Sequence, residues 1–239
     1  MQAKWFYCLL CQKRFRTQEG EICCFSCYLL LQKLRFLGCV SCGSQNADHP
    51  PCGVLYPEID ASFSIYSFQE PLSSLLNLAK NENIPDAVHF LEDFLYVVLR
   101  YELVELVKKY SYDTIVLAPL TQKRIFQYNW HPLFLTEKII KSVINNQDNN
   151  VFCVDNKKKT KQSRLTLLER KSQRISFENS VLEIKLKERL KEGKSQISKV
   201  LIIDDVMTSG QTLQQLGSFI KYFTPVEFVH TFTIFRTPQ

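Results

Sequence analysis

Two unbroken runs of apolar residues are the strongest structural signals in the chain. Residues 114–120 and 200–203 are rich in β-branched residues and leucine, as in strands buried on both faces of a sheet. Two carboxylates, Asp204 and Asp205, follow the second run, and we expect them to end that strand. After a small polar turn, apolar residues recur at helical spacing: Leu213, Leu216, Phe219, Ile220 and Phe223. The pattern predicts a strand, an acidic pair, a glycine-containing loop and a helix.

Patterns on either side of residues 114–120 extend this alternation of strands and helices. Residues 62–68 alternate as in an edge strand, and residues 71–80 predict a short helix beginning near a proline. We expect Asp86 to be the N-cap of an amphipathic helix that reaches about Lys109, with His89 on its surface.

The remaining elements complete an α/β prediction. They are a helix over about 133–145, a short strand over 151–154, and a last strand over 226–235. In the last strand, one predicted face carries Phe228, His230, Phe232 and Ile234.

The loop after residues 200–203 has the chemistry of a sugar-phosphate site. A loop that opens a helix presents unpaired N–H groups and the positive end of the helix dipole to an anion. Gly210 allows close approach, and the hydroxyls of Thr208, Ser209 and Thr212 add donors. Carboxylates repel a phosphate, but they accept hydrogen bonds from a sugar diol. The predicted ligand is therefore a ribose 5-phosphate.

The same stretch allows two other interpretations. A Walker B strand also ends in carboxylates, but the chain contains no G-x-x-x-x-G-K-[ST] sequence. An ordinary core strand with a solvated acidic end stays open.

Composition limits the class of protein. The 239 residues are 45% hydrophobic, enough for one large domain or for a domain with a small module. The first residues do not resemble a signal peptide, and charges interrupt the most apolar segment, residues 88–107. We expect a soluble, cytoplasmic protein without membrane insertion.

The cysteines indicate a metal-binding module at the N-terminus. Eight of the nine lie within the first 52 residues, and three pairs have C-x-x-C spacing, which favours zinc over disulfides in a protein without an export signal. One predicted structural Zn²⁺ site consists of Cys8, Cys11, Cys24 and Cys27. A second predicted site consists of Cys39, Cys42, His49 and Cys52.

Other arrangements of the cysteines stay open. Pairs 8/11 and 39/42 could share one ion, or all the thiols could remain reduced without metal. Cys23 is left over in the first arrangement. A module this short needs metal for stability, and the prolines at 50, 51 and 57 place a boundary near residue 55. The predicted domains are 1–55 and 56–239.

Basic residues are concentrated in two places. Residues 157–174 contain eight Lys or Arg and one acid, in a chain of net charge +6, and such a block attracts polyanions unless it is only a solvated loop. The module interleaves cations with aromatic residues, as single-stranded DNA binding requires, although the aromatics could equally form the module's own core. These residues are Lys4, Lys13, Arg14, Arg16, Lys33 and Arg35, with Trp5, Phe6, Tyr7 and Phe15.

Residues 200–212 resemble the phosphoribosyl-pyrophosphate (PRPP) motif of type I phosphoribosyltransferases, in which four hydrophobic residues precede D-D-x-x-T-[ST]-G-x-T. The resemblance implies that fold, a parallel sheet flanked by helices, and PRPP bound with Mg²⁺. The implied PRPP-binding residues are Asp204, Asp205, Val206, Met207, Thr208, Ser209, Gly210, Gln211 and Thr212. The implied pyrophosphate loop contains Leu120, Thr121, Lys123 and Arg124.

The order of cysteine pairs followed by this motif is similar to that of the ComF/GntX family. Three further features carry the resemblance: a helix ending in Lys80, Pro119-Leu120-x-x-x-Arg124, and Gln162-x-x-Leu165-x-x-x-x-Arg170. It implies a competence protein that handles single-stranded DNA in the cytoplasm during natural transformation, together with other competence proteins. A phosphoribosyltransferase acting on an unidentified acceptor is the alternative.

Overall fold

A computed structural model describes residues 4–8, 10–11, 13–17, 23–36, 39, 57–121, 130–143, 150–156 and 197–238. Most of these residues belong to a five-stranded, wholly parallel sheet flanked by helices, so the α/β prediction is confirmed. Its strands are β3 (Ala61–Ser67), β4 (Thr114–Thr121), β5 (Asn150–Asn156), β6 (Lys199–Met207) and β7 (Phe228–Arg236).

The helices lie between these strands in the chain. They are α2 (Leu72–Lys80), α3 (Pro85–Tyr110), α4 (Pro132–Val143) and α5 (Gln211–Phe223). Helix α3 packs against both α2 and α4, and α5 packs against β6 and β4. The surface position expected for His89 is confirmed.

The N-terminal module contains an antiparallel hairpin and one helix. The hairpin is formed by β1 (Lys4–Tyr7) and β2 (Arg14–Thr17), and α1 spans Phe25–Lys33. Leu31 and Leu34, at the end of α1, are buried in the main hydrophobic core. The next residues lie along edge strand β3, where Phe36 N–H donates to Ile65 O and Ser67 N–H donates to Leu34 O. The module therefore covers the edge of the sheet.

The strand order in the sheet is β3-β7-β6-β4-β5. From β4 the chain passes through α4 to β5 on one side, and β6 then lies on the other side of β4. The winding reverses between β4 and β6, and ligands in open α/β sheets bind at the carboxyl ends of strands at such a point.

Two local predictions were wrong. Strand β6 does not end at Asp204 and Asp205 but continues to Met207, because Asp204, Val206 and Met207 still pair with β7. Asp86 is not an N-cap: α3 begins one residue earlier, at Pro85, whose fixed φ suits the first helical position.

The last predicted strand is confirmed as β7, which lies between β3 and β6 and is buried on both faces. Its polar side chains have hydrogen-bond partners in β3 and at Tyr112, which precedes β4. The hydroxyl of Tyr112 lies 2.8 Å from His230 Nδ1, Ser64 Oγ lies 2.7 Å from Thr233 Oγ1, and Thr231 donates to Ser62 over 2.8 Å.

Candidate functional site

A crevice opens where the winding reverses. Strands β4 and β6 pair only as far as Leu117 and Ile203, and a register irregularity follows Leu117 in β4. Beyond this point β4 pairs only with β5 and β6 only with β7 among the described residues, so the two strand ends separate.

A cavity of about 310 Å³ occupies this crevice. One wall is the continuous stretch from Asp204 to Leu213, and Pro119 and Leu120 contribute from the end of β4. The opposite wall is the polar side of α2 with Phe68. The α2 residues are Ser73, Leu76, Asn77, Lys80 and Asn81, the last just beyond the helix. All nine residues of the predicted PRPP motif line this one cavity.

Asp204 and Asp205 line the same cavity but have different partners. Asp205 is almost fully buried, and its Oδ2 accepts a charged hydrogen bond from Lys80. His131 Nε2 lies 3.6 Å from the same oxygen. Asp204 is half-buried and accepts the backbone N–H of Asp205 at 2.8 Å.

The acidic pair is electrostatically unequal as well. Desolvation, together with the negative charge of Asp205, raises the pKa of the Asp204 carboxyl well above its usual range. The ammonium of Lys80 opposes this rise. The arrangement therefore contains one ion-paired carboxylate and one carboxyl that gains stability from a hydrogen-bonding or cationic ligand.

The loop after β6 is shaped to present backbone amides. Gly210 has a φ of 71°, in the left-handed region that favours glycine, and it precedes the first residue of α5. This turn and the first residues of α5 line the cavity, and the half-buried Ser209 and Thr212 are among them. The loop has the donors and the dipole that a phosphate requires.

Arg236, fully buried at the end of β7, supports this loop from below. Its Nη1 donates to Thr208 O at 3.1 Å, and the Thr237 N–H donates to Met207 O at 3.0 Å. A charge-assisted bond to a loop carbonyl restricts the loop to one conformation.

The predicted pyrophosphate loop is only partly described. Leu120 lines the cavity, and Thr121 is the last residue of β4. Lys123 and Arg124 lie outside the described residues, as do residues 157–174 and the Gln162, Leu165 and Arg170 positions.

Sequence reasoning missed several residues around the cavity. The resemblance to the ComF/GntX family includes Lys80 but gives it no role. No pattern in the sequence indicates His131 or Arg236. Lys80 and Asp205 are 125 positions apart, so only the fold brings them together. A partial signal was available in α2, where Ser73, Asn77 and Asn81 recur every four residues and share one helix face.

A second site lies in the N-terminal module. The ligand atoms of Cys8, Cys11, Cys24 and Cys27 all lie within 4.8 Å of one another. Bonds of about 2.3 Å to a tetrahedral zinc place sulfur atoms about 3.8 Å apart, and the Sγ atoms of Cys11 and Cys24 are separated by 3.8 Å. The first pair of cysteines follows β1, and the second lies at the start of α1.

The four thiols influence one another's protonation. Burial alone would raise the pKa of Cys8, but backbone N–H groups of Cys11, Cys24 and Leu10 lower it to about 7. Burial, followed by the neighbouring thiols and the charge of Cys8, raises the pKa of Cys27. A bound dication would offset the charge of four neighbouring thiolates and so favour their deprotonation. The arrangement is therefore compatible with zinc.

Only one of the four residues of the second predicted metal site, Cys39, lies within the described residues. Cys39 is half-exposed, and Cys42, His49 and Cys52 lie outside the described residues. Cys23 is buried beside the first cluster but is not one of its four members.

Of the helices in the described ranges, none combines the length and apolar character needed to cross a membrane.

Comparisons with known proteins do not assign the chain to a family. No protein-family model matches it, and no match was found among curated proteins.

Proposed function

We propose that the cavity between β4 and β6 binds PRPP together with Mg²⁺. The observation that carries the proposal is the continuous wall from Asp204 to Leu213, which combines a carboxylate, a left-handed glycine and a helix N-terminus in one cavity at the carboxyl ends of the strands. The ribose diol meets the carboxylate, and the 5-phosphate meets the amides of residues 208–212. Lys80 and His131 lie behind the acidic pair.

Mg²⁺ prefers oxygen ligands, and the cavity offers the Asp204 carboxyl and the hydroxyls of Thr208 and Ser209. Most of its ligands would be phosphate oxygens of PRPP, whose charge the ion neutralises. The chain's own contribution is to orient the sugar and to hold its phosphate.

Removing the Asp204 charge tests this assignment. We expect Asp204→Asn to weaken PRPP binding by about 1–2 kcal/mol, or roughly tenfold, because a charge-assisted hydrogen bond is lost. Asp204→Asn combined with Asp205→Asn should cost about 2–4 kcal/mol. Isothermal titration calorimetry with saturating Mg²⁺ measures both variants.

The matched control is Asp93→Asn, on the exposed side of α3 and outside the cavity. It should bind PRPP as the wild type does. Equal affinity in the wild type and in both acidic-pair variants would rule out the sugar assignment.

The second half of the proposal is that the N-terminal module binds single-stranded DNA. Tyr7, Phe25 and Tyr28 are large aromatic residues on its surface, with 67%, 74% and 44% of their areas exposed. Lys13, Arg14 and Arg16 are exposed in the same module, as is Lys33. Exposed rings stack on bases while cations meet phosphates, so this surface suits a single strand.

Two details refine the prediction made from the sequence. Tyr7 is exposed, so it is not part of a module core, whereas Phe15 is half-buried. Arg35 is engaged elsewhere: it pairs with Glu102 at 2.9 Å and lies over the Tyr66 ring. The DNA-binding proposal therefore relies on Lys13, Arg14 and Arg16 but not on Arg35.

Titration of a labelled single strand tests this surface. We expect micromolar binding whose log–log dependence on salt has a slope of about −0.7 per phosphate contacted. Replacing Phe25 and Tyr28 by Ala should weaken binding by roughly 1–3 kcal/mol per stacked base. Tyr222→Ala, at an 84% exposed aromatic of α5, is the control and should have no effect.

Replacing Lys157, Lys158, Lys159 and Lys161 by Gln examines the basic block separately. Loss confined to that variant would move the binding site from the module to the block. Wild-type protein that shows no salt-dependent binding would contradict a DNA-handling role altogether.

Together these two activities fit a ComF-like competence protein that handles incoming single-stranded DNA and uses PRPP as a ligand. The alternative is an active phosphoribosyltransferase, favoured by the open cavity wall of α2, whose amide groups could contact an acceptor. Pyrophosphate release from PRPP across a panel of acceptors separates the two. Release with one acceptor favours the transferase, and binding without turnover favours the DNA-handling role.

A further inference from the structure

Lys80, from outside the PRPP motif, holds the carboxylate of Asp205, and a second side chain, His131, lies nearby. Lys80 ends α2 and donates to Oδ2, and His131 precedes α4 with its Nε2 3.6 Å from the same oxygen. The exposed fractions are 9% for Lys80 and 3% for His131. An ion pair this deeply buried exchanges its partners for water less readily than a surface pair does.

Asp204 has no comparable ion pair among the described residues. It is half-buried, lines the cavity and interacts with the Asp205 side chain beside it. Two adjacent carboxylates are therefore placed in unlike surroundings, one committed to the protein and the other directed at the ligand.

We propose that Lys80 is a positioning residue that gives Asp204 and Asp205 different roles in ligand binding. By holding Asp205 as a fixed buried anion, it leaves Asp204 as the carboxylate that receives the hydroxyls of the ribose ring. This inference rests on the proposed function, because it assigns roles within the same sugar-phosphate site.

The charges around the pair explain why Lys80 is needed. Without its ammonium, two carboxylates would share a desolvated site, and their repulsion would favour a protonated or displaced Asp204. The other titratable group facing them is His131, on the side of α4. The described cavity residues of β4 and α5 carry no charge, and Arg236 of β7 is directed at the Thr208 carbonyl.

The experiment compares ribose 5-phosphate with 2-deoxyribose 5-phosphate, which differ only in one ring hydroxyl. We expect the wild-type protein to prefer the ribose form by roughly tenfold, the effect of one hydrogen bond to a charged acceptor. Lys80→Met should reduce this preference to less than about threefold, because Asp204 is no longer held in place. Lys80→Arg, which keeps the charge, should restore part of it.

Each outcome separates the roles. If Lys80→Met weakens both sugars equally and preserves their ratio, Lys80 acts on the phosphate or on the fold, and the positioning role is wrong. A wild type that binds both sugars with equal affinity also overturns it. A wild type that binds neither sugar nor PRPP overturns the proposed function itself.

Lys80→Gln covers the case in which Lys80→Met does not fold, because its amide still offers an N–H donor to Asp205. The same loss of preference is expected from this neutral variant. An unchanged tenfold preference in folded Lys80→Gln would overturn the inference.

Discussion

Removing the zinc that we propose for the Cys8, Cys11, Cys24 and Cys27 cluster is expected to unfold the N-terminal module. Structural zinc contributes apparent free energies of about 10–16 kcal/mol in small zinc modules at neutral pH. The described part of this module has two four-residue strands and one nine-residue helix, so it has little apolar core of its own. Metal ligation therefore outweighs every other contribution to its stability.

Cys24→Ser should reproduce the effect of a chelator. It removes one of four ligands at the position that precedes α1, where the Cys24 N–H also donates to Cys8 Sγ at 3.3 Å. The measurements are zinc content by elemental analysis and helical content by circular dichroism. Protein purified without added zinc should contain at least one equivalent, and Cys24→Ser should contain one equivalent less.

Cys23→Ser is the matched control, since Cys23 is the neighbouring residue, is buried and lies outside the cluster. It should keep the wild-type zinc content. Metal-free protein with an intact module, or equal zinc loss in both serine variants, would contradict the cluster assignment. A wild-type content of two equivalents would support the second predicted site, Cys39, Cys42, His49 and Cys52.

Loss of the module should also affect the main sheet. Residues 34–36 occupy the outer edge of β3 through backbone hydrogen bonds with Ile65 and Ser67. Without them β3 presents an unpaired edge, and uncovered edges pair with other chains. Chelated protein should therefore associate, which light scattering at several protein concentrations would detect.

The sequence predicts most of the strands and helices because their apolar runs are unambiguous. β4 and β6 are continuous apolar runs, and α5 has its buried residues at helical spacing. Prediction failed where tertiary position overrides a local pattern: β6 continues past its two carboxylates because it pairs with β7 as far as Met207. The polar residues of β7 are buried, and Ser64 of β3 and Tyr112, which precedes β4, supply hydrogen-bond partners for Thr233 and His230.

The candidate site divides in the same way. Its loop is continuous in sequence, so the motif identifies residues 204–212 and the structure places all of them around one cavity. Lys80, His131 and Arg236 come from distant segments, and no spacing rule connects them with Asp205 or Thr208. The different roles inferred for Asp204 and Asp205 also depend on β6 continuing to Met207. The sequence did not predict this continuation, because two adjacent carboxylates suggested the end of the strand.

Breaking the Lys80–Asp205 ion pair is expected to destabilise the main domain by about 3–5 kcal/mol, because Lys80→Met leaves a buried carboxylate without its cation. Lys80 and Asp205 are both largely shielded from water, so solvent can replace the lost partner only in part. Replacing the pair together, by Lys80→Met with Asp205→Leu, should recover much of the loss, since two apolar side chains leave no charge uncompensated.

Urea unfolding monitored by Trp130 fluorescence measures this effect. Trp130 is buried next to His131, and in a Trp5→Phe background it is the single tryptophan of the chain. Lys108→Met is the matched control: Lys108 pairs with Glu105 at 3.3 Å on the surface, where such pairs contribute about 0–1 kcal/mol. If Lys80→Met and Lys108→Met shift the unfolding midpoint equally, the Lys80–Asp205 contact does not behave as a buried ion pair in solution. If the double variant is less stable than Lys80→Met alone, the loss comes from packing of the lysine stem and not from the uncompensated charge.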